Sequence, residues 1–188
     1  MKFFTTTLQG VFLIKPAIFH DDRGYFFESF NAGSWKEHGF TNEFVQDNQS
    51  FSKKNVVRGL HFQHSPYAQG KLVRVIQGRV LDIALDLRED SPTFGKFELF
   101  DLDAVSGNMV YIPEGFAHGF ATLEDSIFHY KCTGPYHRAS ERGLHWNDPY
   151  LNIPWGVTNP IVSEKDKILP TFSEQYKTSL KFVANQHS

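Results

Sequence analysis

Residues 71–90, KLVRVIQGRVLDIALDLRED, alternate apolar and polar side chains with the period of a β-strand. In the second half Leu81, Ile83, Leu85 and Leu87 share one face, and Val80, Asp82, Ala84 and Asp86 share the other. Gln77-Gly78, between the halves, is a turn signal, so the stretch predicts two strands joined as a hairpin. Short segments of the same kind (GYFFESF, KFELFDL, GNMVYIP, SIFHYKCT) recur through the first 135 residues, separated by glycine, proline or acidic turns. Phenylalanine alone numbers 19, a bias that suits sheets. Helical spacing is weak there, AGSWKEHG (32–39) excepted, and the pattern predicts an all-β sandwich or barrel.

A chain of 188 residues reads as one domain, 1–188, with a β core over about 8–135. From 136 to 188 the texture changes to a Pro-, Gly-, Asn- and Trp-rich connection over the surface, then a cap in which SEKDKILPTFSEQYKTSLKF predicts a short helix broken by Pro170. The net charge of −2 argues against nucleic acid as a partner. One cysteine, Cys132, excludes an internal disulfide and a cysteine-rich zinc site. The N-terminal KFFTTTLQGVFLIKPAIF is interrupted by polar residues and lacks a small-residue cleavage signal, and no apolar run is long enough for a membrane span. A soluble, cytoplasmic protein is expected.

GNMVYIPEGFAHGF (107–120) has the spacing G-x5-P-x-G-x2-H and resembles the second motif of the cupin superfamily, a jelly-roll β-barrel. In metal-binding cupins its histidine, here His118, is a ligand; a buried, hydrogen-bonded histidine is the plainer alternative. The HxH pair and glutamate of the first cupin motif are missing, since His61 and His64 stand three apart and no glutamate follows before Glu89. A metal-free barrel is therefore expected.

VVRGLHFQ (56–63) reads as a strand, yet carries Arg58 and His61. Three positions apart, they point to opposite faces of a regular strand; a bulge at Gly59 would turn both inward. An anion site beside a general base and a structural arginine with a space-filling histidine are equally compatible with this strand alone. Neighbouring strands add Lys71, in register with Val73 and Val75, Asp82 among small residues, and Tyr130 with Phe128 and Cys132. So many converging ionisable groups are costly to bury without a ligand. Proton transfer at a carbon next to a carbonyl fits the set: a base, a cation for the enolate oxygen and an acid.

With DDRGYFFESF, FVQDNQS, VVRGLHFQ, QGKLVRV, YIPEGFAHGF, YKCT, ERGLHWNDP and SEKD in order from about residue 8 to residue 172, the chain resembles the dTDP-4-dehydrorhamnose 3,5-epimerases. The resemblance implies a cupin-type jelly roll with a few short peripheral helices, without metal or cofactor, working as a strand-exchanged homodimer. It implies a dTDP-linked 4-keto-6-deoxy sugar as substrate, with His61 as base, Tyr130 as acid, Asp166 paired with His61 and Lys71 steadying the enolate. His118 and Asp82 would line the sugar pocket. Arg58, Gln46, Asp47, Asn48, Tyr136, Glu141 and Lys165 would hold the rest of the substrate, joined by Arg23 and Glu28 from the partner subunit. Phe62 stands where tyrosine is usual, and CTGPYHRAS replaces an acidic segment with two tyrosines, leaving Tyr136. These departures leave open whether one centre or two is inverted, and a non-catalytic sugar-nucleotide binder is the alternative from another class.

Overall fold

The computed structural model describes residues 1–179; the end of the expected cap, 180–188, lies outside the described residues. In chain order the strands are β1 (Lys2–Thr5), β2 (Phe12–Lys15), β3 (Phe19–Asp21) and β4 (Gly24–Phe26), then helix α1 (Ala32–Glu37). There follow β5 (Gln46–Ser52), β6 (Val56–Gln63), β7 (Lys71–Gln77), β8 (Arg79–Asp86), β9 (Phe97–Asp103), β10 (Met109–Ile112), β11 (Phe116–Thr122) and β12 (Ser126–Cys132). A single 3-10 turn leads into β13 (Glu141–Gly143), β14 (Ile161–Val162) and the short helices α2 (Glu164–Lys167) and α3 (Phe172–Gln175). The last two flank Pro170, as expected.

Two sheets face each other in a jelly roll. One runs β1-β2-β10-β7-β12-β5; the other runs β13-β6-β11-β8-β9, with β14 also on β6. Between them lies a core of Val73, Val75, Val80, Ala84, Phe120 and Phe128. The second apolar face of β8, with Ile83 and Leu85, packs outward against Leu144, Leu151, Ile153, Trp155 and Phe172. Both faces of β8 are thus covered, which is why its alternation is apolar on one side and small or acidic on the other. Phe172 is fully buried and stacks on Tyr150 with ring centres 5.4 Å apart. Burying such a ring contributes roughly 1.5–3 kcal/mol. On the outside of the first sheet α1 sets Trp35 against Phe3, Phe40, Phe44 and Tyr111; Asn31 caps this helix by accepting from the Gly33 and Ser34 amides.

Four expectations need correction. The strands of 71–90 form no hairpin: β7 and β8 belong to opposite sheets, and the chain crosses between them at Gly78. Gly78 has φ +79°, and a Cβ there would stand 2.3 Å from the Asp125 carbonyl oxygen. The glycine thus serves a close crossover rather than a two-residue turn. The sheets also begin before residue 8, with β1 on β2. Finally, 136–179 is more than a covering: β13 pairs antiparallel with Gln63, Phe62 and His61, and β14 pairs parallel with Val56 and Val57. GYFFESF is strand only over Gly24–Phe26, in a two-stranded ribbon with β3.

Candidate active site

β6 carries His61 and Arg58, and its backbone departs from a regular strand between them. His61 pairs with His118 of β11 and Arg58 with Phe120, so β6 has one more residue than β11 over this stretch. That is the expected bulge, and it brings both side chains onto one cleft. Gly59 has φ +124°, and a Cβ on it would lie 2.6 Å from Gly119 Cα. Only glycine allows the two backbones to approach so closely.

The cleft has a volume of about 470 Å3 and is lined by Ser50, Arg58, His61, Lys71, His118, Phe120, Tyr130, Lys165 and Asp166, among others. A second lobe of about 270 Å3 shares His61, Lys71 and Tyr130 with it and adds Gln46, Asn48, Gln63, Gln69, Tyr136 and Glu141. These three shared residues stand where the lobes meet.

His61 Nε2 lies 2.7 Å from Asp166 Oδ1. A carboxylate can only accept, so Nε2 carries the proton and Nδ1 is left as the basic nitrogen. Asp166 reaches this position from α2, where Ser163 Oγ accepts from the Asp166 amide and caps the helix. Burial alone would push the Asp166 carboxyl up; the hydrogen bond and charge of His61, the Gly59 amide and Ser163 outweigh it and hold the group below its ordinary range. It is the charged partner that His61 meets.

Lys71 is half-buried at the start of β7, and among the described residues its ammonium has no ion-pair partner. Desolvation lowers its pKa, offset in part by Cys132, Asp82 and Glu141. Burial raises the pKa of Tyr130, with Cys132 and Glu141 adding to the effect and Arg58 opposing it, so the phenol holds its proton. His118 Nε2 meets Asp82 Oδ1 at 2.7 Å, and both are buried. Desolvation pushes His118 down, against the pull of Asp82. Arg58 donates to Ser52 Oγ at 2.9 Å and to the Phe51 carbonyl at 3.3 Å; among the described residues it meets no carboxylate, as a merely structural arginine would be expected to. Tyr136 donates to Glu141 Oε2 at 2.8 Å, and Lys165 Nζ stands 2.7 Å from the same oxygen.

Of the residues singled out in the sequence, His61, Lys71, Tyr130, Asp166, Arg58, His118 and Lys165 line the main cleft, with Asp82 directly behind His118. Gln46, Asn48, Tyr136 and Glu141 line the second lobe. Asp47 is not brought to either: β5 alternates, and the Asp47 carboxylate turns to the opposite face to meet Lys131 Nζ at 2.9 Å. Arg23 and Glu28 also stand apart from both lobes of their own chain. Arg23 bonds Asp21 on the exposed β3–β4 ribbon, and Glu28 accepts from Asn31 Nδ2 at 2.9 Å. Ser50 went unnoticed in the sequence, though extending the 46, 48 alternation by one step reaches it. Gln63 and Gln69 carried no sequence signal of their own.

A jelly roll whose cleft joins a carboxylate-backed imidazole, a protonated phenol and a desolvated ammonium is an acid–base enzyme of the cupin class, built to move protons at carbon. Residues 5–174 match the family model described as dTDP-4-dehydrorhamnose 3,5-epimerase. The Shigella flexneri dTDP-4-dehydrorhamnose 3,5-epimerase is 49% identical over 168 residues, covering 88% of this chain and 93% of that one. The crystal structure of the Bacillus anthracis enzyme with TDP and PPi bound is similar at a TM-score of 0.89 and 45% identity, over 91% of this chain and 99% of that one. The Legionella pneumophila dTDP-6-deoxy-D-glucose-3,5-epimerase in complex with dTDP-4-keto-L-rhamnose gives 0.87 and 43%, over 90% and 92%. This chain belongs to the dTDP-4-dehydrorhamnose 3,5-epimerase family and is an isomerase.

Proposed function

We propose that the cleft epimerises dTDP-4-dehydro-6-deoxy-D-glucose at C3 and C5, giving dTDP-4-dehydro-L-rhamnose for rhamnose synthesis. The observation that carries this reading is the His61–Asp166 pair at 2.7 Å, opening on a cleft that also holds Tyr130 and Lys71. The 4-keto group makes the hydrogens on both flanking carbons acidic. His61 Nδ1 takes a proton, and the imidazolium that forms is stabilised by the Asp166 carboxylate. The electron pair moves to the keto oxygen, where the Lys71 ammonium balances the developing charge in a poorly solvated site. Tyr130 returns a proton to the opposite face of the carbon, so the centre inverts. Solvent then takes the proton from His61 and restores one to Tyr130, and repetition at the second carbon inverts both.

Arg58 and Lys165 put two cations on the cleft and suit the diphosphate, Arg58 with a planar fork matched to phosphate oxygens. His118, its imidazole fixed by Asp82, lines the same cavity near the sugar. The β3–β4 ribbon leaves Phe19 66% and Phe26 71% exposed. This supports its passing to a second subunit, where Arg23 and Glu28 would join the partner's cleft. Among the described residues no helix is long and apolar enough to cross a membrane. A charged diphosphate does not cross a bilayer unaided, so the reaction belongs in the cytoplasm.

Proton NMR of the reaction in deuterated buffer tests the proposal. The wild type should place deuterium at both C3 and C5, and His61→Ala at neither. Label at one carbon only would make the protein a single-site epimerase; full exchange by His61→Ala would remove His61 as the base.

A further inference from the structure

Residues 134–137 run along the rim of the second lobe, between β12 and the 3-10 turn, and belong to no strand. Three glutamine side chains take the polar groups of their backbone. Gln69 Nε2 donates to the Gly134 carbonyl at 2.6 Å, and Gln63 Nε2 donates to the Pro135 carbonyl at 3.3 Å. Gln46 Oε1 accepts from the Tyr136 amide at 2.8 Å, and Gln63 Oε1 accepts from the His137 amide at 2.7 Å. Gln63 also donates to the Tyr67 carbonyl at 2.6 Å, tying in the loop after β6. The side chain of Gln63 is thus bonded at both ends, and the residue is only 8% exposed. A buried amide satisfied by three backbone groups fixes their geometry, because losing it leaves them unpaired.

What the rim carries makes this more than local packing. Tyr136 hydrogen-bonds Glu141, and Glu141 meets Lys165, which lines the main cleft next to Asp166. The series Gln63, residues 134–137, Tyr136, Glu141, Lys165 therefore runs from the second lobe to the main one without touching His61 or Tyr130. We infer that Gln63 and Gln69 are positioning residues: they hold the 134–137 rim so that Tyr136 and Glu141 set the Lys165 ammonium for the anionic part of the substrate. This rests on the epimerase reading above, and assigns to two glutamines the preorganisation of binding rather than of chemistry.

The test uses Gln63→Met and Gln69→Met, which keep side-chain length and remove the hydrogen bonds. With dTDP-4-dehydro-6-deoxyglucose, Gln63→Met should raise KM by about 10-fold and Gln69→Met by about 3-fold, each with kcat within about 2-fold of wild type, the pattern of lost uniform binding. Hydrogen exchange by mass spectrometry should show faster exchange over 134–140 in Gln63→Met, whose His137 amide loses its acceptor, and unchanged exchange over β6 and β12. A fall in kcat at constant KM, or unchanged KM in Gln63→Met, overturns the assignment. If Gln63→Met does not fold, Gln69→Met alone decides it by the same KM criterion. Should the wild type fail to turn over this sugar, the epimerase reading falls; TDP binding by calorimetry then tests the rim, and equal affinity in wild type and Gln63→Met overturns it.

Discussion

Asp166→Asn separates the charge of the dyad from its geometry. The asparagine Oδ1 can still accept the His61 Nε2 proton, so the ring orientation and tautomer persist while the negative charge is lost. Asp166 is almost fully buried with a side chain 4% exposed, and its bond to His61 is 2.7 Å long. A charge-assisted hydrogen bond of this kind contributes roughly 1.5–3 kcal/mol net, and it strengthens as the imidazolium forms. The corresponding loss is about 10- to 150-fold in kcat. KM should stay within about 3-fold, because substrate binding precedes the charge change. Asp166→Ala loses orientation as well and should fall further, toward the roughly 100- to 10,000-fold typical of a positioned acid–base group. The pH dependence follows from the sign of the shift. The folded carboxyl titrates below its unfolded value, so its stabilisation is present above the ordinary carboxylate range and is lost only as pH falls through the depressed value. Between about pH 5 and 9 Asp166 stays ionised, so its own titration contributes nothing to the pH dependence there. The assay is initial-rate kinetics coupled to a rhamnose-forming reductase, with thermal melting to establish folding. Wild-type kcat in Asp166→Asn, or a loss confined to KM, would refute the view that Asp166 stabilises the protonated base.

Tyr130→Phe should retain solvent deuterium exchange while completed inversion falls by about 100-fold or more; NMR of the recovered sugar decides, and normal turnover excludes Tyr130 as the acid. Lys71→Met should abolish turnover yet raise Tm by about 2–4 °C, since it removes a half-buried charge without an ion-pair partner among the described residues, a relief of about 1 kcal/mol; calorimetry checks this. Because burial lowers the Lys71 pKa, its activating charge is lost at a lower pH than for an ordinary lysine. The alkaline decline of kcat should therefore begin below about pH 10 and move upward in Lys71→Arg. Gly78→Ala forces a Cβ toward the Asp125 carbonyl at positive φ and should cost at least about 2 kcal/mol, a fall of about 4–8 °C in Tm on a melting curve.

Period-2 alternation read correctly which residues share a face, because side-chain direction on a strand is a local property: Val73 and Val75, or Phe128 and Tyr130, meet in one core, and Lys71 and Tyr130 line one cleft. It could not tell which sheet a strand joins. Gly78 looks the same in a hairpin turn and in a crossover, and the difference lies in Asp125, 47 residues away from it along the chain. Asp47 is the opposite case: its neighbours Gln46 and Asn48 drew it into the expected site although alternation sends it outward. The bulge at Gly59 was legible, since a glycine between two polar side chains three apart is where a strand can turn both to one cleft. The glutamine-held rim was not, because amides bound to backbone leave no periodic trace.

Asp166 stands 105 residues beyond His61 in the chain and comes to it beside β14, which joins β6 only when the last third of the sequence is present. At translation rates of about 5–20 residues per second, the imidazole emerges about 5–20 s before its carboxylate. A nascent jelly roll can therefore bury its first core and still be inert toward sugar nucleotides. Turnover becomes a report that the closing segment has docked.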